Sequence, residues 1–196
     1  MPIKMIVKNG PSTITLSPVY ADSKRPAIVG GPLRFSYEFE QVHFHWGKTD
    51  DVGSEHTIDG QHYPLEMHAV HIKENHTLEE ALEDPDGIAV IAYMANQTER
   101  KNEAIRHLDE VQTNIANTKS DGTYELPTPF PINEVLVPFD RDYYYYDGSL
   151  TTSPYTENVT WIIAPSNINI TKLQITNFRK FRESNCRQTQ ELNARS

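Results

Sequence analysis

A chain of 196 residues carrying a net charge of −9, with a pI near 5.3, is long enough to bury one substantial core. Its acidity argues against nucleic acid, which needs a concentrated basic face. The one basic cluster, Arg179, Lys180, Arg182 and Arg187, reads as a solvated helix end and tail. A mean hydropathy of −0.59 with no apolar run of about 18 residues excludes a membrane-spanning helix, and no hydrophobic signal core follows Met1.

Taken in order, residues 3–16 read as two short strands broken at Asn9-Gly10-Pro11, and Gly30-Gly31-Pro32 marks a second turn. Residues 33–46 alternate at Phe35, Tyr37 and Phe39 and are aromatic or β-branched at Val42, Phe44 and Trp46, as a strand should be. The strand period of 2 places His43 and His45 on one face, with Cβ atoms about 7 Å apart. A polar connection follows over 47–61, holding Gly53, Gly60 and four acidic residues; it is long for a hairpin and so reads as functional. In the next strand, 63–72, Glu66, His68 and Val70 share a face. Thr77-Leu78-Glu79-Glu80 has the form of a capping box, and the helix it starts must stop by Pro85. Residues 88–94 are apolar on both faces and read as a central strand. A helical stripe of Ala104, Ile105, Leu108, Val111 and Ile115 spans 99–116, and a proline-rich ordered loop spans 117–139. The four tyrosines of 143–146 read as strand packing, 157–164 as a strand containing Val159 and Trp161, and 171–182 as a short helix.

If the two histidine-bearing strands pair, His68 joins His43 and His45, and three imidazoles can close on one ion at about 2.0–2.1 Å from each nitrogen. Three neutral imidazoles around zinc leave the fourth tetrahedral position open, as a catalytic site requires; a structural site would want a fourth ligand, usually cysteine. Gln41 stands two residues before His43, and Glu66 two before His68, each placed to anchor the second ring N–H of its histidine. A lone histidine on a half-apolar strand is more often a hydrogen-bonded residue than a ligand, and His62, His71, His76 and His107 are read that way.

Gln41-Val42-His43-Phe44-His45-Trp46-Gly47, Gly53-Ser54-Glu55-His56-Thr57, Glu66-Met67-His68-Ala69-Val70-His71 and Gly148-Ser149-Leu150-Thr151-Thr152 together resemble the alpha-class carbonic anhydrases of animals, in order from about Asn9 to the C-terminus. A cupin would need a glutamate shortly after the His-x-His pair, where this chain has Thr49 and Asp50, and an amidohydrolase barrel needs a longer chain. The resemblance implies a mainly β (α+β) fold, with a large, mostly antiparallel twisted sheet and short surface helices. One domain over 1–196 is expected, shortened at its N-terminus relative to the family. The implied activity is reversible hydration of carbon dioxide to bicarbonate and a proton by a zinc-bound hydroxide, with Zn2+ on His43, His45 and His68. The alternative is a catalytically weak or silent carbonic-anhydrase-related binding protein.

By the same resemblance, Thr151 accepts the hydroxide's hydrogen while donating its own to Glu55. That logic is physical, since an ionised carboxylate can only accept and so turns the threonine's lone pair outward. The apolar wall for carbon dioxide would be Val70, Val90, Leu150, Val159 and Trp161, with Thr152 and Asn9 on the polar side. Fast family members carry a proton-shuttling histidine directly after the Asn-Gly of the first turn. Here that place is Pro11, so proton release through water or buffer is expected. Sulfonamide-type inhibitors and a monomeric state are also expected. Compartment stays open between cytoplasmic and secreted. Asn75, Asn96, Asn158 and Asn169 each head an Asn-x-Thr triplet, but Cys186 is the single cysteine, and Tyr155 stands where extracellular relatives often have another.

Overall fold

Alternating apolar side chains build ten strands in the computed structural model, which describes residues 1–22, 24–99, 106–115 and 121–191. They are β1 (Lys4–Asn9), β2 (Ile14–Val19), β3 (Ala27–Ile28), β4 (Tyr37–Trp46), β5 (Leu65–Lys73), β6 (Ile88–Gln97), β7 (Thr123–Glu125), β8 (Tyr144–Gly148), β9 (Val159–Ile163) and β10 (Ile168–Ile170). One sheet takes them in the order β7-β1-β2-β4-β5-β6-β9-β8, with β3 added to β4 and β10 to β6. Only the β6–β9 and β6–β10 pairings are parallel among those described. The fold is the mainly β one expected.

Both faces of the central strands are buried, which is why β6 is apolar from Ile88 to Ala95 and why Glu66, His68 and His71, the buried polar residues of β5, are all hydrogen-bonded. One face contributes Val42, Phe44, Trp46, Leu65, Met67, Ile91 and Tyr93 to the larger core. The other contributes Val70, Ile72, Val90, Ala92, Val159, Trp161 and Ile163 to a smaller one. His43, His45, Glu66 and His68 share the second face by strand alternation.

A β-bulge between Phe39 and Gln41 makes this division possible. Strict alternation would put Phe39 on the face of His43 and His45. The bulge inserts one unpaired residue, so Phe39 stays with the larger core while Gln41, His43 and His45 turn to the opposite side. The expected strand over 33–46 is correspondingly shorter. Phe35 lies outside it, 43% exposed, with the Lys73 ammonium 3.9 Å from its ring centroid.

Three short helices cover the sheet: α1 (Leu78–Glu83), α2 (Arg106–Ile115) and α3 (Lys172–Phe181). The capping box at Thr77 and Glu80 forms as expected, and a second one, unforeseen, starts α3 at Thr171 and Gln174. Of the stripe expected over 99–116, Val111 is buried in the larger core, whereas Ala104 and Ile105 lie outside the described residues. Of the proline-rich stretch expected over 117–139, residues 117–120 lie outside the described residues, and 121–139 are more regular than expected. They contain β7, an edge strand held by β1, and a 3-10 turn at Ile132–Glu134. No helix among the described residues is long and apolar enough to cross a membrane.

His71 belongs to the larger core, edge-on to Phe39 at 5.4 Å between ring centroids, with its Nδ1–H donating to the Ala69 carbonyl at 3.0 Å. Burial pushes its pKa down from 6.5 to about 4. The unfolded chain therefore binds a proton that the folded chain refuses between those values. Stability is full above about pH 6.5 and drains as pH falls toward about 4. At about 1.4 kcal/mol per unit, the loss reaches about 3 kcal/mol. His71→Gln should show a flatter acid dependence in denaturant titrations at stepped pH; parallel curves for parent and variant would refute this role.

Candidate metal centre

Antiparallel pairing of β4 with β5 sets His43 opposite His68 and His45 opposite Glu66. The three imidazoles converge, with ring centroids 5.0 Å apart for His43–His45, 5.0 Å for His43–His68 and 4.6 Å for His45–His68. One nitrogen from each lies within 4.8 Å of the others, so the group could hold a metal ion. Two features of the donor set fit one. His43 Nε2 and His68 Nδ1 face each other at 3.2 Å, and His45 Nε2 is buried without a hydrogen-bond partner among the described residues. An orphaned buried acceptor costs about 1–3 kcal/mol, which a cation on that nitrogen relieves. Burial, reinforced by the neighbouring His45 and His68, holds the His43 pKa well below its ordinary value; burial brings His45 to about 4 and lowers His68. All three are thus neutral at pH 7, the form that donates a lone pair.

The remaining ring nitrogens are pinned. His43 Nδ1–H donates to Gln41 Oε1 at 3.0 Å and His68 Nε2–H to Glu66 Oε1 at 2.6 Å, the two partners expected from the strand spacing. His45 Nδ1 lies 3.1 Å from Glu55 Oε1 and 3.4 Å from the Asn185 carbonyl. Glu66 is 0% exposed and fully engaged, since its Oε2 accepts the backbone N–H groups of Glu55 and His56, each at 2.8 Å. Burial alone would favour its protonation, but His56 and His68 outweigh burial and hold the carboxyl well below the usual carboxylate range.

Glu55 arrives on the polar connection between β4 and β5. A Cβ on Gly53 would stand 1.9 Å from the Pro64 carbonyl oxygen, so only glycine lets the loop close onto β5 here. Glu55 Oε1 accepts the backbone N–H of Arg187 at 2.7 Å. Burial raises the Glu55 pKa, with His68, the Arg187 N–H and the Thr151 hydroxyl pulling it back. Glu55 Oε2 has no partner at hydrogen-bond distance among the described residues. The Thr151 hydroxyl faces the same carboxylate. Both border a cavity of ≈ 450 Å³ that is also lined by the tail from Arg187 to Gln190.

Val70, Val90, Val159 and Trp161 pack together in the smaller core, with Leu150 partly buried against them. Trp161 stacks edge-on to His68 at 4.7 Å between centroids, which brings this apolar surface beside the histidines. Gly148 allows that approach, because a Cβ there would meet Trp161 Cδ1 at 3.0 Å. Thr152 is exposed, and Asn9 and Pro11 lie in the β1–β2 hairpin, where the Pro11 carbonyl accepts from Arg182.

Three participants have no role in the sequence reading. His56 bridges the site, with Nδ1–H donating to Glu66 Oε1 at 2.6 Å and Nε2 accepting from the Tyr146 hydroxyl at 2.5 Å. Its presence beside Glu55 in one motif was the available signal. Tyr146, one of four consecutive tyrosines, had none. Asn185 locks the tail to β4: its Oδ1 accepts Trp46 N–H at 2.7 Å and its Nδ2 donates to the Phe44 carbonyl at 2.8 Å.

Comparison with known proteins agrees in kind. The family model described as eukaryotic-type carbonic anhydrase matches residues 2–196. Carbonic anhydrase 7 of Homo sapiens is 38% identical over 157 residues, covering 79% of this chain and 58% of that protein. Carbonic anhydrase 1 of Oryctolagus cuniculus is 36% identical over 162 residues, 82% of this chain and 67% of that protein. Carbonic anhydrase 1 of Monodelphis domestica is 39% identical over 156 residues, 78% and 57%. The chain spans somewhat over half the length of most of these relatives.

Proposed function

The chain belongs to the eukaryotic-type carbonic anhydrase family, and from that premise we propose that it holds zinc on His43, His45 and His68 and interconverts carbon dioxide and bicarbonate. The observation that carries this reading is the convergence of three neutral imidazoles whose outer nitrogens are held by Gln41, Glu66 and the Glu55–Asn185 pair. Bound there, zinc supplies the charge that brings the pKa of water to about 7, for which carbonic anhydrases are themselves the standard case. The protein's own residues do the rest. Gln41 and Glu66 fix the tautomer and aim of their histidines. The Thr151 hydroxyl, facing Glu55, orients the attacking oxygen by accepting its hydrogen. Val70, Val90, Leu150, Val159 and Trp161 offer carbon dioxide an apolar surface that binds it without charged anchors.

A catalytically weak or silent relative that keeps its metal is the second reading, favoured by Pro11 at the place of the proton-shuttling histidine. Stopped-flow carbon dioxide hydration separates the two, measured on zinc-loaded protein, after removal of metal by a chelator, and after zinc is restored. Activity that follows the metal supports the enzyme. A folded, zinc-bound protein without activity moves the assignment to the second reading.

Proton release adds its own expectation. Pro11 is exposed in the hairpin next to β4 and cannot relay a proton. Pro11→His should raise turnover at low buffer concentration and leave it level at high buffer. An unchanged rate at low buffer in an active variant would remove this account of proton transfer.

A further inference from the structure

The carbon dioxide chemistry uses none of the four Asn-x-Thr triplets at Asn75, Asn96, Asn158 and Asn169, and the fold separates them. Asn158 is 5% exposed, and its Nδ2 already donates to the carbonyls of Ala81 at 2.9 Å and Leu82 at 3.0 Å. The atom that would carry a sugar points into the protein. Asn96 is exposed but is held within the parallel β6–β10 ladder opposite Asn169, which is half-buried between the fully buried Ile168 and Ile170.

Asn75 is placed differently. It is exposed in the turn from β5 to α1, which His76 N–H closes by donating to the Lys73 carbonyl at 3.1 Å. Its φ of +65° lies in the left-handed region, where asparagine is among the few side chains tolerated. Its carboxamide enters none of the hydrogen bonds among the described residues. Thr77 is exposed as well, with its hydroxyl capping the start of α1 by accepting the Glu80 N–H at 3.2 Å. Asn75 also stands beyond the end of β5, on the order of 20 Å along the chain from His68, so a bulky group there leaves the metal centre open.

We propose that Asn75 is an N-glycan acceptor, used when the chain crosses a eukaryotic secretory membrane. The donor is an oligosaccharide joined through its anomeric carbon to a lipid pyrophosphate. A bond forms between Asn75 Nδ2 and that carbon, and the bond from the carbon to the pyrophosphate oxygen breaks. The lipid pyrophosphate leaves with the electron pair, and one amide proton passes to a base; nothing is oxidised or reduced.

The test expresses the full chain behind a cleavable secretory leader in cultured eukaryotic cells, as parent, Asn75→Asp, Thr77→Asp and Asn96→Gln. Aspartate tolerates positive φ at 75 and remains a good N-cap at 77, so both variants end the triplet and keep the turn and the helix start. Digestion with a peptide-N-glycosidase should shift the parent and Asn96→Gln on a gel and leave Asn75→Asp and Thr77→Asp unshifted. The digested parent peptide should then read as aspartate at 75 by mass spectrometry. A parent that does not shift, in cell extract or medium, overturns the proposal. So does a shift that survives in both Asn75→Asp and Thr77→Asp.

Discussion

His68→Ala is expected to abolish stoichiometric zinc binding and, with it, carbon dioxide hydration. The alanine removes one of three converging nitrogens and leaves His43 and His45, two donors 5.0 Å apart between ring centroids, which cannot close a tetrahedral site alone. It also strips Glu66 Oε1 of one of its two imidazole partners. Loss of an outer partner of a ligand costs roughly 10–100-fold in metal affinity, and loss of a ligand should exceed that. Competition for zinc against a chromophoric chelator measures it directly. A variant that keeps one tightly held zinc per chain would show that the ion sits elsewhere. Denaturant unfolding of both proteins without metal controls for general damage, since the deletion also leaves a gap beside Trp161.

Glu66→Ala should be the most destabilising single change at the site. The carboxylate is 0% exposed and accepts four N–H groups, two from backbone and two from His56 and His68. Removing it leaves four donors without an acceptor, two of them on the part-buried His56. Breaking a buried charged network by deleting one member costs roughly 3–5 kcal/mol, and the freed His68 ring should lower zinc affinity roughly 10–100-fold. Urea titration of metal-free protein reads the first effect and chelator competition the second. Glu66→Gln is the informative partner. Its amide can accept at one oxygen, but its NH2 would face donors, so it should recover only part of the loss. If Glu66→Ala unfolds at the parental midpoint, the carboxylate is a bystander.

The histidine triad and two of its supports were legible because they obey strand period. His43, His45 and Gln41 share parity, as do His68 and Glu66, and the pairing of β4 with β5 joins the two sets. Val70, Val90, Val159 and Trp161 were reachable by resemblance, and the smaller core contains all four. Long-range closure was not legible. Asn185 lies 140 residues from His45 and reaches it through a backbone carbonyl, which any residue type possesses. Among the tyrosines, Tyr144 and Tyr145 are 68% and 61% exposed while Tyr146 turns to His56. Four identical residues in a row carry no pattern that would single out one of them. The three-residue β7 exists only because β1 offers it an edge, a tertiary effect that local propensity does not encode. The bulge did leave a trace, a change from apolar odd positions at Tyr37 and Phe39 to apolar even positions at Val42, Phe44 and Trp46.

That change of parity has a consequence for how this segment can vary over time. Between Phe39 and Trp46, exchanging one apolar residue for another alters packing by increments and leaves every side chain on its own side of the sheet. Adding or deleting a single residue there does something categorical, because it inverts the strand beyond that point. Imidazoles would then face the greasy layer and aromatic rings the donor cluster. Segment length therefore constrains the centre here more sharply than the identity of its apolar residues does, and a one-residue insertion or deletion in this stretch would turn His43 and His45 away from His68 in one step.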